Sequence, residues 1–395
     1  MSVVAYHALP NVVRGGFIGV DVFFVISGYL ISTIIMREKD EGRFSLSGFY
    51  ARRIKRLFPA LIFVLAVTMF LSWYYLLPHE FRQLGKHLTA GSAYFINFTL
   101  KKEAGYFDVS AAEKPLLHLW SLAVEEQFYI VWPILLMLIA GRTRTLAVLV
   151  LITAASLASN LVAIHKNSAA AFYLPQNRFW ELSSGALLAF ANLYASDLRQ
   201  AAFVRRLEMT ELAQPTLRSI ASIAGLALMI GAALLLDAQV VYPGGWALIP
   251  CVGAALLIGA GPEAFVNKWL LSSGAMVFVG LISYPLYLWH WPLLSFESIL
   301  GYGGDMRFRL AAVVASFILA ILTNYFIERP LRHARSPAIA VGLLATTLSF
   351  CFAGALASKS KLYPRLNSAE FRDVGDAIDD WRFPLGLKRV NARGF

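Results

Sequence analysis

The segment 116–133, "LLHLWSLAVEEQFYIVWP", places ionisable side chains inside an otherwise apolar run. His118, Ser121 and Glu125 are offset by three and seven residues, so a helix would put them on one face, with Glu126 one position round. A carboxylate beside an imidazole holds the ring in one tautomer and raises its basicity, which suits a general base near neutral pH. The pattern predicts a role in or beside an active site. The alternative is an architectural one, in which the carboxylates only neutralise an arginine of a neighbouring helix.

The composition explains why such groups are unusual here. The chain has 395 residues, of which 58% are hydrophobic and only 15% are charged. A soluble domain is nearer half apolar and a quarter charged. The apolar residues gather in blocks of about 17–25, the length that a helix needs to cross a bilayer core. We therefore predict an all-α fold, a polytopic transmembrane helix bundle, and exclude a soluble two-domain enzyme, which would show amphipathic periods.

About ten full spans are predicted, together with a truncated first helix. The spans lie near residues 16–36, 57–77, 116–140, 145–164, 178–195, 217–236, 245–260, 274–297, 308–327 and 337–357. The weaker stretch 84–99 carries Lys86 and His87, and we predict an interfacial or re-entrant piece there. If it does not cross, the Lys- and Arg-rich loops all fall on one side, which the positive-inside rule makes cytoplasmic.

The net charge of +11 belongs to those short loops, so it predicts contact with membrane lipids and argues against nucleic-acid binding. Cys251 and Cys351 both fall inside predicted spans, which makes a disulfide or a metal site between them unexpected. The chain has no HExxH motif and no Cys/His cluster, so we predict no metal.

The first ten residues, "MSVVAYHALP", form an apolar stub too short to cross a bilayer. The stub also lacks the basic leader and the cleavage site of a signal peptide. We expect the first helix to begin upstream of Met1, which would place His7 toward the outer end of that helix.

Two further segments carry ionisable groups inside spans. In "QNRFWELSSG", Arg178 and Glu181 are three residues apart, so they either pair locally or face substrate. In "ISYPLYLWHWPLL", His290 lies between two tryptophans, which is typical of a membrane interface and equally compatible with a substrate-facing position.

The segment "FYARRIKRLFP" differs because its four basic residues crowd the cytoplasmic start of a span. The positive-inside signal and anionic lipid would account for Arg52, Arg53, Lys55 and Arg56. The functional alternative is a pocket for a polyphosphorylated donor, because arginine forks match phosphate geometry.

These segments occur in a fixed order together with "GGFIGVDVFFVISGYLIS" and "NYFIERPLR". The set resembles the acyltransferase-3 family of bacterial membrane O-acyltransferases, over about residues 1–335. The resemblance implies a membrane acyltransferase domain at 1–335, an additional transmembrane helix at 336–357 and an extracytoplasmic linker at 358–395. In the branch with such a linker a soluble SGNH-type domain follows, and no motif of that domain occurs after residue 357.

The family resemblance implies a function. Members move an acyl group, usually acetyl from acetyl-CoA, from the cytoplasmic side to a hydroxyl of a surface carbohydrate such as O-antigen, exopolysaccharide or peptidoglycan. The expected location is the bacterial inner (plasma) membrane, and the expected partners are acyl-CoA, a surface glycan and membrane lipids. The rival functions are a transporter or flippase, which would also place His and Glu in the membrane, and an inactive fragment.

The resemblance also implies residue roles. The family's first helix carries Arg or Lys, ten residues, then an essential histidine. His7 matches that histidine, and the basic residue would precede Met1. We expect His7, Glu126 and Glu125 to be catalytic, with a glutamate orienting His7, and Arg52, Arg53 and Arg56 to bind the donor. Substrate contacts are expected from His118, Arg178, Glu181, Tyr284 and His290. Covalent acyl-histidine and direct transfer both remain open.

Overall fold

The computed structural model describes residues 1–104, 110–194, 215–237, 240–303, 305–334 and 336–359, and in these ranges it contains helices and no strand. All but the first two residues of the predicted linker 358–395 lie outside these ranges. The helices are α1 (Ser2–Ala8), α2 (Gly19–Asp40), α3 (Leu46–Tyr75), α4 (Pro78–Ser92), α5 (Ile96–Glu103), α6 (Leu119–Leu138), α7 (Arg142–Lys166), α8 (Ser168–Tyr173), α9 (Phe179–Leu193), α10 (Pro215–Leu235), α11 (Leu248–Ala260), α12 (Gly274–Ile299), α13 (Met306–Leu322), α14 (Arg329–Arg332) and α15 (Pro337–Ser358).

The polytopic helical bundle is confirmed. Each of the ten predicted spans coincides with a helix, and eight helices in the described residues are long and apolar enough to cross a membrane. The two shorter ones are α9, with 15 residues, and the apolar run Gly244–Ala260 that contains α11. A turn of π-helix at Thr323–Glu328 joins α13 to α14, so Met306–Arg332 is one continuous span.

The bundle has two ends, which we call the basic end and the histidine end. The basic end carries the arginines at the start of α3, and the backbone oxygen of Ala334 accepts a hydrogen bond there from Lys55 Nζ at 3.1 Å. The histidine end carries His7, and the N–H of Gly15 reaches Ala233 O there at 2.9 Å. Because α2 begins at the histidine end and α3 begins at the basic end, the two kinds of chemistry face each other across the bundle.

Helices α4 and α5 form a helical hairpin that includes the stretch 84–99, and its interfacial or re-entrant position stays a prediction. The chain reverses at Tyr94, whose φ of 55° lies in the left-handed region. Gln127 Nε2 donates to Tyr94 O at 2.6 Å and to Asn97 Oδ1 at 2.9 Å, so the turn sits beside the middle of α6. His87 of α4 is hydrogen-bonded to Glu103 at the end of α5, which shows that the two helices run antiparallel. The hairpin therefore enters and leaves at the histidine end.

Two glycines bring α2 and α9 into backbone contact. A Cβ on Gly28 would lie 1.8 Å from Leu182 O, and one on Gly185 would lie 2.1 Å from Val25 O. Close approach of this kind stabilises helix pairs in lipid, where the hydrophobic effect between helices is weak. The contact fixes the start of α9, and with it Arg178, against the start of α2.

Candidate active site

One cavity of about 610 Å³ runs between α2, α3, α6 and α12. Its residues on α2 extend from Gly19 to Ile34, which corresponds to about 22 Å along a helix axis. Basic side chains line one end, and the hydroxyl groups of Ser121 and Tyr287 line the other. The wall between these ends is mostly apolar. The cavity is therefore a passage from the basic end toward the histidine end.

The basic end gathers the three predicted donor-binding arginines, and all of them line the cavity. Arg52 is paired with Glu38 at 2.9 Å, and Arg53 with Glu126 at 3.3 Å. Arg332, from α14, lines the same end, although the sequence analysis gave it no role. It lies 276 residues after Arg56, so only the folded chain brings the two together.

The two adjacent glutamates of α6 have different partners. Ser27 and Tyr129 both donate hydrogen bonds to Glu125, which lines the cavity. Glu126 is paired with Arg53, whose guanidinium also lies 3.9 Å from the centre of the Tyr129 ring. Ser27 and Tyr129 could not be singled out from the sequence, because single hydroxyl groups in apolar helices show no periodic pattern. The one available hint was the spacing of four residues from Glu125 to Tyr129.

Three histidines meet just beyond the other end of the passage, behind Tyr287, and none of them is among the residues that line it. His7 Nδ1 lies 3.1 Å from His290 Nε2, and the two rings are nearly parallel, at 7°. The edge of Trp291 packs on His7 with 4.4 Å between ring centres. His118 is 5.9 Å from His290 between ring centres. His118 is 2% exposed, and its ring nitrogens have no hydrogen-bond partner among the described residues.

Tyr287 separates this histidine cluster (His7, His118 and His290) from the passage. Its hydroxyl donates to His118 O at 2.7 Å and contacts Ser121 Oγ at 2.6 Å. Its ring is 5.3 Å from that of His290 and 5.5 Å from that of His118. A group that reaches the end of the passage at Ser121 is therefore next to the cluster.

The contact that orients His7 differs from the expected one. We expected a glutamate in that position, but His290 occupies it. Glu125 instead accepts hydrogen bonds from Ser27 and Tyr129. Glu126 is paired with Arg53. The reason is the position of the two glutamates along the axis of α6. The glutamates lie about two turns further along α6 than His118, toward the arginines, so they meet the cations of α3.

Tyr284 lines the passage and donates a hydrogen bond to Leu57 O at 2.9 Å.

The outcome for Arg178 and Glu181 is different. The guanidinium of Arg178 is 2.9 Å from Asp21 and 3.0 Å from Glu181, and all three residues are at most 1% exposed. This is the local pairing that the spacing allowed, extended by Asp21, and the residues that line the passage do not include Arg178 or Glu181. Their substrate contact stays a prediction.

A second ion-pair cluster lies next to Trp291, and its residues are outside the candidate spans. Trp291 Nε1 donates to Lys114 O at 2.8 Å, and Glu103 lies 3.1 Å from Lys114 Nζ and 2.9 Å from His87 Nε2. Burial pushes the pKa of Glu103 upward, but the hydrogen bonds and charges of His87 and Lys114 outweigh it and lower that pKa to about 2. The cluster anchors the α4–α5 hairpin behind the histidine cluster.

No group of three His, Cys, Asp or Glu side chains in the described ranges has the geometry of a metal site. Both cysteines are free thiols, Cys251 in α11 and Cys351 in α15.

A membrane bundle with a passage from clustered arginines to clustered histidines is the arrangement of an integral-membrane group-transfer enzyme. The family model described as an acyltransferase domain matches residues 1–353, and the chain belongs to this acyltransferase family. The match runs through most of α15.

Curated relatives support the assignment. The chain is 29% identical over 344 residues to the peptidoglycan O-acetyltransferase OatA of Listeria monocytogenes, a match that covers 84% of this chain and 54% of that protein. It is 35% identical over 250 residues to an uncharacterised protein of Haemophilus influenzae, which covers 60% of this chain and 96% of that one. The chain spans about half the length of the relatives that are named O-acetyltransferases. No solved structure matches it significantly.

Proposed function

We propose that the protein is an O-acyltransferase of the bacterial plasma membrane. It takes an acyl group, acetyl in the simplest case, from acyl-CoA at the basic end and passes it to a hydroxyl of a cell-surface carbohydrate at the histidine end. The observation that carries the proposal is that one passage is lined by Arg52, Arg53 and Arg56 at one end and by Ser121 and Tyr287, beside the histidine cluster, at the other.

The basic end suits a donor with several phosphates. Arg52, Arg53, Lys55, Arg56 and Arg332 line one mouth of the passage. Arginine binds phosphate oxygens with two parallel N–H groups, which gives both affinity and orientation. The positive-inside rule places this mouth in the cytoplasm, where acyl-CoA is made. The mostly apolar wall of the passage then suits the uncharged arm of the donor and the thioester.

The histidine end suits the chemistry. His7 sits beside the end of the passage, partly exposed, against His290 and Trp291. An imidazole there can accept the acyl group from the thioester, or it can take the proton of an acceptor hydroxyl as that oxygen attacks the thioester carbon. Glu125 and Glu126 lie nearer the arginines, so their proposed role is to hold Arg53 in place for the donor.

The acceptor side rests on topology and on relatives. The histidine end is extracytoplasmic when the arginine loops are cytoplasmic. One relative is named as an enzyme of peptidoglycan, which is a surface carbohydrate. We therefore assign the acceptor to that chemical class, a glycan hydroxyl, without naming the sugar.

The test uses inside-out membrane vesicles of a bacterium that expresses the full chain. [¹⁴C]Acetyl-CoA added outside such vesicles reaches the cytoplasmic face, and label is then counted in base-labile ester on glycan. We expect transfer by the wild type, loss to background in His7→Ala and wild-type transfer in His165→Ala, which changes an exposed histidine of α7. Equal transfer by His7→Ala would remove His7 from the reaction, and no dependence on the chain would reject the function.

The same vesicles separate the two chemical routes. After a short pulse without acceptor, the protein is denatured and its label is counted. Label that stays on the wild type and is absent from His7→Ala supports an acyl-histidine. Active protein without label supports direct transfer.

A further inference from the structure

The hydrogen bonds of the histidine cluster determine which nitrogen of His7 reacts. His290 Nδ1 lies 2.6 Å from the backbone oxygen of Tyr287. A carbonyl oxygen only accepts, so Nδ1 of His290 carries the hydrogen. His290 is 0% exposed in an apolar span, where an uncharged ring is favoured. In the neutral ring the other nitrogen, Nε2, then has a free lone pair.

That lone pair points at His7. Nε2 of His290 is 3.1 Å from Nδ1 of His7. Since the first atom accepts, the second must donate, which places the hydrogen of a neutral His7 on Nδ1. Its Nε2 is left unprotonated. We infer that His290 is a positioning residue that fixes the tautomer of His7, and that Nε2 of His7 is the reacting atom. The inference rests on the proposed acyl transfer.

The bond changes balance in either route. In the covalent route, Nε2 of His7 forms a bond to the thioester carbon, the C–S bond breaks and CoA leaves as thiolate. The positive charge on the ring is shared with His290 through the Nδ1–H hydrogen bond. The acceptor oxygen then bonds to the same carbon, the C–N bond breaks and the hydroxyl proton goes to the thiolate. In the direct route, Nε2 takes the acceptor proton while oxygen replaces sulfur on the carbon, and the proton leaves with CoA.

The other clusters of ionisable side chains in the described residues support no comparable inference. The Asp21–Arg178–Glu181 network is held together by ion pairs, and none of its three residues lines the passage. The ring nitrogens of His118 are buried without a hydrogen-bond partner in the described ranges, so no contact of the kind that His7 makes with His290 indicates its tautomer. The His7–His290 contact differs because it indicates which atom reacts and not only which residue.

The first experiment replaces His290 in the full chain and measures kcat and KM for acetyl-CoA. We expect His290→Ala to lower kcat by about 10²-fold with little change in KM, because the donor site is untouched while His7 samples the wrong tautomer. His290→Gln offers an amide oxygen to Nδ1–H, and we expect it to recover activity to within about 10-fold of the wild type. His165→Gln is the control at an exposed histidine. Equal losses in the Ala and Gln variants would overturn the tautomer role.

The second experiment identifies the atom directly. Nδ1-methylhistidine at position 7 keeps Nε2 free and blocks Nδ1, and His290→Ala provides room for the methyl group. If Nε2 reacts, this double replacement is at least as active as His290→Ala alone, because the methyl group also excludes the wrong tautomer of the ring at position 7. If Nδ1 reacts, activity falls to that of His7→Ala, which overturns the assignment while leaving the acyltransferase function intact.

Discussion

Arg53 is expected to be the most stabilising charge in the passage. It lies 3.3 Å from Glu126, and the two side chains are only 13% and 9% exposed. At an effective dielectric constant of about 20, two charges at that distance attract by about 5 kcal/mol. The guanidinium over the Tyr129 ring adds about 1 kcal/mol. Desolvation offsets much of this sum in the intact pair, but removal of one partner leaves the other charge buried and uncompensated.

We therefore predict that Arg53→Ala lowers the free energy of unfolding by about 4 kcal/mol, within the range measured for broken buried pairs. Arg53→Lys keeps the charge but loses the fork and the planar stack, so its loss is smaller. In a double-mutant cycle with Glu126→Ala, the coupling energy is expected to be about 2–3 kcal/mol. Equilibrium unfolding in mixed detergent and dodecyl sulfate micelles measures all four proteins.

The control cycle uses Lys268 and Glu263. This pair has a shorter distance, 2.8 Å, but its side chains are 51% and 72% exposed. Exposed pairs contribute little, so this cycle should show coupling within the error of the measurement. Additive losses for Arg53 and Glu126, or equal coupling in both cycles, would refute the claim that burial makes the Arg53 contact strong.

Three further predictions follow from single contacts. Arg56→Gln should raise KM for acetyl-CoA several-fold with a small change in kcat, as steady-state kinetics would show; a loss in kcat alone would contradict a donor-binding role. Gly28→Val should separate α2 from α9, because its Cβ would overlap Leu182 O, and we expect little folded protein by size-exclusion chromatography in detergent; a melting temperature equal to that of the wild type would contradict the contact. Glu103→Gln removes a carboxylate whose folded pKa of about 2 lies below the ordinary value of 4.5, so the stabilisation is complete above pH 4.5 and disappears as the pH falls to 2. The melting-temperature difference from the wild type should vanish over that window, and a difference that is constant with pH would contradict the His87 pairing.

Much of the fold could be predicted because lipid imposes a simple rule on the sequence. A span needs a block of apolar residues, so the blocks are visible in the sequence without any knowledge of their partners, and the charge of the loops predicts that 84–99 does not cross. The length of each helix could not be predicted in the same way. The segments 178–195 and 245–260 look like spans, yet α9 has 15 residues and the apolar run around α11 has 17. Apolarity alone does not distinguish a short buried helix from a full crossing.

The site was predictable by residue type but not by partner. His7 and His290 are each unusual in apolar segments, but they are 283 residues apart, and no local pattern shows that α1 packs against α12. The same distance problem hid Arg332 beside Arg56. The expectation that a glutamate orients His7 failed because neighbours on one helix face can lie at different depths: Glu125 is two turns from His118 and reaches Ser27 and Tyr129 instead.

The proposed reaction requires that one passage delivers a thioester from the arginines to Nε2 of His7. A direct test is an experimental structure of the full chain with acetonyl-CoA, in which a methylene group inserted between the sulfur and the carbonyl carbon turns the thioester into a stable ketone. We expect phosphates on Arg56 and Arg332 and the ketone carbon within about 3.5 Å of His7 Nε2, as a reactive geometry requires. A nucleotide bound at the histidine end, or a ketone that stays among the arginines away from His7, would contradict it.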